Sequence, residues 1–590
     1  MSALQLGVEA PAGVLAGLAG PEDLRALPAS ALPALGAEIR EELVRRVCRT
    51  GGHLGPNLGV VELTIALHRV FRSPADAIVW DTGHQAYVHK MLTGRLGAFD
   101  TLRKAGGLSG YPNRLESPHD LVENSHASTA LGYADGIAKA YQLTGRSDRV
   151  VAVVGDGAMT GGMCWEALNN IASAPSRPVV VVLNDNGRSY APTAGYLPRH
   201  LQLLREGVAE GNLFEDLGLA YVGPVDGHDV AAVERALRAA AVLHHPVVVH
   251  CVTAKGHGHQ PAEQDDADRL HAVSPTSSGS SAPAGQSWTS VFGDTLLEIG
   301  HERDDVVAIT AAMLQPTGLL AFAKHFPERV FDVGIAEQHA VASAAGLASA
   351  GMHPVVAIYS TFLNRAFDQV LMDAALHHAP VTFVLDRSGV TGPDGPSHHG
   401  MWDVGLLGMV PGARVAAPRD TEQLPLLLRE CVACDEGPTV LRFPRGRSGS
   451  TLPAVARWGS ADVLVEAADA DVLLLPVGPL AVAAVAAAAT LADRGVAATV
   501  VDPRWVRPLD PALVAEAARH PLVVTVEDNS PCGGFGDALA RALRDVGAAG
   551  ALRTMALPPD FVEAGTREQV LHAHGLDADG IVRTVSSALA

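Results

Sequence analysis

At 590 residues the chain is long enough for three or four domains. Hydrophobic residues make up 48% and aromatics only 5%, so the core must be rich in Ala, Val and Leu. A formal net charge of −20 argues against a nucleic-acid or anionic-membrane partner and leaves an anionic substrate dependent on local basic residues. Alternating β-branched runs and Ala-rich helices predict an α/β fold with mainly parallel sheets flanked by helices. Six scattered cysteines and the lack of a secretory leader pattern make a reducing cytoplasm the expected setting.

The first block runs to about residue 273. It holds a glycine loop from Gly51 to Gly59 and the segment Trp80-Asp81-Thr82-Gly83-His84. A strand is predicted over Val150 to Val154, running into Gly155-Asp156-Gly157. A helix follows with Cys164, Leu168 and Ile171 on one face, and a second strand, Pro178 to Leu183, delivers Asn186. A further strand is expected at His245 to Thr253, then a polar loop from Lys255 to His259. Residues 274–287 are rich in Ser, Pro, Gly and Ala and read as a linker.

The second block, 288–455, carries strand candidates at Val306 to Thr310, Pro354 to Tyr359, Val381 to Leu385 and Thr439 to Phe443. The third, 456–590, carries them at Val472 to Leu475, Ala498 to Val501 and Leu522 to Val526, and is expected to be a compact parallel α/β domain. Val472 to Thr490 is uncharged and as long as a membrane span, but Pro476, Gly478 and Pro479 break it into strand, turn and buried helix. Gly533-Gly534-Phe535-Gly536 opens a helix and reads as tight packing ahead of an anion site. Cys431 and Cys434 form a lone CxxC with no second pair to complete a metal site.

Gly155 and Gly157 allow close approach to a phosphate, and Asp156 between them is a hard oxygen ligand. Asn186 comes after a spacer of 28 residues. An aspartate and an asparagine at two strand ends suit Mg²⁺, which takes few protein oxygens plus phosphate oxygens. This arrangement resembles the metal–diphosphate motif of thiamine-diphosphate enzymes. Glu337, in Asp332-Val333-Gly334-Ile335-Ala336-Glu337, is a candidate for the buried carboxyl such chemistry needs. The alternative is a surface glutamate in a helix's first turn. Tyr359, Phe362 and Arg365 follow a predicted strand, where an aromatic could stack on a pyrimidine ring or pack in the core. His53, His84, His271 and His398 lie in loops where a neutral-pH proton carrier could act. Arg387 and Arg445 stand near strand ends as a phosphate clamp or as solvated surface arginines.

The motifs GGHLGPNLG, DTGHQAYVHK, VVGDGAMTGG, DVGIAEQHA, YSTFLNRAFDQ, DGPSHHG and FPRG occur together in one order. In that order they resemble the 1-deoxy-D-xylulose-5-phosphate synthases, a transketolase-like thiamine-diphosphate family, and NDNGRSYAPT is most similar to its actinobacterial members. The resemblance implies a homodimer of three-domain α/β chains: diphosphate- and metal-binding (1–273), pyrimidine-binding (288–455) and C-terminal (456–590). It implies pyruvate and D-glyceraldehyde 3-phosphate as substrates, thiamine diphosphate as cofactor, and Mg²⁺ as metal, with Mn²⁺ able to substitute. It assigns Asp156, Asn186 and the Arg188 carbonyl to the metal. Ser125, His126, Ala127, Gly155, Gly157, Ala158, Lys255 and His84 fall to the cofactor, with Ile335 and Tyr190 as braces, Phe362 as stacking partner and Glu337 as activator. His53, His84, His271, Tyr359, Arg365, Asp394 and His398 become substrate-facing, and Arg387 and Arg445 bind phosphate. One departure is large. Where the family usually carries a long helical insertion after Thr193, this chain reaches Phe214 through residues 194–213 alone.

Overall fold

The computed structural model describes residues 13–123, 125–276 and 285–590. They divide into two compact units, split between positions 279 and 280. Most of the expected linker lies outside the described residues.

The first unit is built on five parallel strands: β1 (Ala77–Trp80), β2 (Val150–Gly155), β3 (Val179–Asp185), β4 (Ala220–Asp226) and β5 (Val247–Val252), in the order β1-β2-β3-β5-β4. Val150 to Val154 and Val179 to Leu183 are buried on both faces, which is why they read as continuous apolar runs. The helix Gly162–Ala172 crosses between β2 and β3 and buries Cys164, Leu168 and Ile171, the predicted face. Gly155 pairs with Asn184, so the segments that follow both strands leave the same edge of the sheet. In open parallel sheets that edge is where ligands bind.

The second unit holds two sheets. Its strands are β6 (Val306–Thr310), β7 (Val330–Asp332), β8 (His353–Tyr359), β9 (Thr382–Asp386), β10 (Arg414–Ala416), β11 (Thr439–Arg442), β12 (Ala456–Trp458), β13 (Ala461–Val465), β14 (Val472–Pro476), β15 (Ala498–Asp502), β16 (Trp505–Arg507), β17 (Leu522–Val526) and β18 (Ala551–Met555). One sheet runs β16-β10-β11-β9-β8-β6-β7 and the other β12-β13-β15-β14-β17-β18. Two features depart from a purely parallel third block. β12 and β13 add an antiparallel edge to the second sheet. β16 leaves its own block and pairs antiparallel with β10.

Val472 to Thr490 is strand, turn and helix as expected: β14 is followed by Ala481–Asp493, which buries Ala481, Ala484, Ala487, Ala488 and Leu491. Among the described residues no helix is long and apolar enough to cross a membrane. The glycine loop before the helix Phe535–Asp545 finds its anion inside the chain. Buried Glu527 accepts from the Phe535 and Gly536 N–H groups at 2.7 and 2.9 Å, the favoured arrangement at a helix N-terminus.

Candidate active site

In the first unit, Asp156 is buried directly after β2. Its carboxylate accepts from the Thr193 hydroxyl at 2.6 Å and the Asn186 N–H at 3.3 Å. Burial, reinforced by nearby Asp185, pushes its pKa up to about 7. Among the described residues no lysine, arginine or histidine pairs with it. A cation would relieve that cost. The loop 125–130 lies alongside, since Ser128 Oγ donates to the Ala158 carbonyl at 2.6 Å. Ser125 Oγ is buried without a hydrogen-bond partner, and Ala127 is buried.

A ring cluster gathers four predicted residues. The His53 ring lies 5.2 Å from His84 and 5.6 Å from His271, edge-on to both. His84 stacks on His271 at 5.1 Å, and Tyr190 stacks on His271 at 3.9 Å. Lys255 Nζ donates to the Ser189 carbonyl at 2.6 Å and stands 2.7 Å from His271 Nδ1. Burial lowers His84 to about 4 and holds His271 well below the usual histidine range. It also lowers Lys255 to about 7. Burial thus disfavours the charged form of all three groups.

Sequence reasoning missed the residues that assemble this cluster. Asn57 Nδ2 donates to the carbonyls of His53 and His84 at 2.8 and 2.7 Å, and its Oδ1 accepts from the Tyr87 N–H. Tyr111 lies 5.9 Å from His53, on a loop held by buried Asp120. Asn57 stands within the quoted glycine motif, but an amide announces no chemistry by type.

In the second unit, Glu337 opens the helix Glu337–Ser349 and is buried, so the surface alternative fails. Its Oε2 has no hydrogen-bond partner. Burial raises its pKa against the opposing charge of Arg365. Ile335 precedes it after Gly334, whose φ of 73° suits glycine. Tyr359 ends β8, and its ring is stacked 5.7 Å from Phe362. His398 meets Phe362 edge-on at 5.7 Å. The Arg387 guanidinium lies 4.0 Å over the Tyr359 ring. Arg445 donates to Asp394 Oδ2 at 2.9 Å. Among the described residues no cluster of three metal-ligating His, Cys, Asp or Glu side chains forms. The CxxC cysteines are free and buried.

Residues 15–208 and 202–253 match the family model described as 1-deoxy-D-xylulose-5-phosphate synthase. Residues 284–449 match the transketolase pyrimidine-binding domain, and 459–581 the transketolase C-terminal domain. The chain is 57% identical to 1-deoxy-D-xylulose-5-phosphate synthase 1 of Kitasatospora griseola, over 96% of this chain and 94% of that protein. It is 56% identical to the enzyme of that name from Nocardia farcinica, over 98% of this chain and 99% of that protein. The chain belongs to the 1-deoxy-D-xylulose-5-phosphate synthase family.

Within the 1-deoxy-D-xylulose-5-phosphate synthase family, the family model matches the first unit in two pieces that overlap at residues 202–208. The alignment to the Nocardia farcinica relative, 628 positions, is longer than the chain. Here the helix Leu197–Glu206 fills the segment after Thr193 and buries Leu201. Arg205 Nη1 donates to both oxygens of buried Asp185 at 2.8 Å. His250 meets the same carboxylate at 2.8 Å.

Proposed function

We propose that this chain condenses pyruvate with D-glyceraldehyde 3-phosphate, releasing CO₂ and forming 1-deoxy-D-xylulose 5-phosphate. This is the first step of the non-mevalonate route to isoprenoid precursors, and it also feeds thiamine and pyridoxal synthesis. Family membership over nearly the whole chain carries the reading.

The residues present fit thiamine diphosphate. Asp156 is a buried carboxylate without a cationic partner among the described residues, and Ser125 Oγ and Glu337 Oε2 are buried oxygens without hydrogen-bond partners. Asp156, Asn186 and the Arg188 carbonyl would hold Mg²⁺, or Mn²⁺ in its place. Ser125, His126, Ala127, Gly155, Gly157, Ala158, His84 and Lys255 would hold the diphosphate end, Ile335 would brace the cofactor, and Phe362 would stack on its pyrimidine ring. When bound, the cofactor supplies a carbon nucleophile for the pyruvate carbonyl and a sink for the electron pair released with CO₂.

The chain's own residues do the rest. Glu337, whose pKa burial raises, would hydrogen-bond the pyrimidine ring nitrogen. His84 and His271, neutral at pH 7, donate to and accept from substrate oxygens together with His53. Tyr359, Arg365 and His398 line the substrate's place. Arg387 and Arg445 bind the acceptor's phosphate and aim its aldehyde, and Asp394 holds the two guanidinium groups ready. The same reading makes the protein a cytoplasmic homodimer with domains at 1–273, 288–455 and 456–590; the matched segments 284–449 and 459–581 support the division. Incubation with both substrates, Mg²⁺ and thiamine diphosphate tests the reaction. Nuclear magnetic resonance should identify 1-deoxy-D-xylulose 5-phosphate, and its absence would refute the reading.

A further inference from the structure

We infer that Arg188 and Tyr190 are positioning residues that clasp His271, so that the loop after Asn186 sets the orientation of the substrate-facing histidine. The inference rests on the reading of His271 given above. It assigns Tyr190 a different task from bracing the cofactor.

The segment that delivers His271 is held against its own backbone preference. Arg269 and Leu270, the two residues before it, have φ of 59° and 50°. Side chains other than glycine rarely adopt this region, and such conformations persist only where the surroundings over-determine them. Inner contacts supply part of the constraint: Asp265 Oδ2 accepts from the Leu270 N–H at 2.9 Å, Asp268 Oδ1 from the His271 N–H at 3.1 Å, and the Leu270 carbonyl from the Gly55 N–H at 2.9 Å.

Three consecutive residues of the other loop complete it. Arg188 Nη2 donates to the carbonyls of Asp266 and Ala267 at 2.9 and 3.2 Å. The Ser189 carbonyl accepts from Lys255 Nζ, which also reaches His271 Nδ1. The Tyr190 ring lies 3.9 Å from that of His271, with 25° between the planes. Lys255 Nζ, within hydrogen-bond reach of Nδ1, fixes which edge of the His271 ring faces the loop. Lys255 thus holds the ring edge, Tyr190 sets the ring plane, and Arg188 anchors the turn beneath. A smaller aliphatic residue at 190 would leave the plane unset.

The test is a double-variant cycle with Tyr190→Leu and His271→Ala, reading kcat, KM for both substrates and thiamine-diphosphate affinity by fluorescence titration with Mg²⁺. Tyr190→Leu should lower kcat at least tenfold, toward the ~100-fold cost of a ~1 Å misplacement, with cofactor affinity unchanged. Tyr190→Phe should restore kcat. In the His271→Ala background, Tyr190→Leu should add no further loss. Weakened cofactor affinity, or the same fold-loss in both backgrounds, would overturn the inference. Full activity of His271→Ala would instead overturn the reading of His271 itself. If Tyr190→Leu fails to fold, Arg188→Met, which keeps the backbone carbonyl, carries the same cycle.

Discussion

Arg445 donates a hydrogen bond to Asp394 at 2.9 Å, and Arg387 stands 3.9 Å from the same carboxylate oxygen. One carboxylate therefore gathers two guanidinium groups from separate loops, with Arg387 further fixed over the Tyr359 ring. Arginine's fork suits a phosphate dianion better than a single carboxylate oxygen.

Arg445→Ala should raise KM for glyceraldehyde 3-phosphate by ~10–100-fold, the worth of a hydrogen bond to a charged group at roughly 1.5–3 kcal/mol. KM for pyruvate should stay within a factor of about two, as uniform binding loss on one substrate requires. Steady-state kinetics with each substrate varied in turn checks both. Equal changes for the two substrates would remove Arg445 from phosphate binding.

Glu337→Gln keeps the shape of a buried side chain while removing its proton exchange. Turnover should fall by ~10²–10⁴-fold, the usual span for a lost general acid or base. Thermal stability should not fall, because the uncompensated burial that raises the Glu337 pKa is also removed. CO₂ release and a circular-dichroism melt on the same sample check the pair of outcomes.

Much of this architecture is legible in the sequence, for a physical reason. Strands buried on both faces, such as Val306–Thr310 and Val179–Asp185, leave an uninterrupted apolar record. β16 left none: Trp505–Arg507 is three residues long, and its partner strand lies about ninety positions earlier. Asp156 and Asn186 stood out because residue type and spacing suit a cation, and the structure brings the two together at 3.3 Å. Asn57 and Thr193 did not, because an amide or hydroxyl becomes informative only when its partners are known. Gly533 to Gly536 read as tight packing, and the structure adds what packs there, the buried carboxylate of Glu527.

Acid should destabilise the protein through its buried histidines. His84 is lowered to about 4 and His271 well below the ordinary value of 6.5. Between those values the unfolded chain binds protons that the folded chain refuses, so stability falls as pH drops from above 6.5 toward 4. Each such group contributes a slope of about 1.4 kcal/mol per pH unit. The urea midpoint without cofactor should be lower at pH 5 than at pH 7, and His84→Asn should flatten the difference. Lys255, lowered from 10.5 to about 7, acts in the alkaline window, where stability should rise between pH 7 and 10. Asp156, raised to about 7, opposes the acid slope between pH 4 and 7, so the histidine share is the difference between wild type and His84→Asn, and identical slopes in the two would contradict the burial of the His84 ring.

The helix Leu197–Glu206 should behave as a fixed element. Arg205 pairs with buried Asp185, and Leu201 is fully buried. Arg205→Ala strands that carboxylate with His250 alone. Amide exchange across 197–206 should accelerate at least tenfold, ~1.4 kcal/mol of local stability. Unchanged exchange would mean that Leu201 alone docks the helix.

The most direct measurement is release of labelled CO₂ from pyruvate by the purified protein with Mg²⁺ and thiamine diphosphate, with and without D-glyceraldehyde 3-phosphate. Release from pyruvate alone should be slow, and the aldehyde should stimulate it strongly. No CO₂, together with ketol transfer from a ketose phosphate to ribose 5-phosphate, would contradict the proposed reaction.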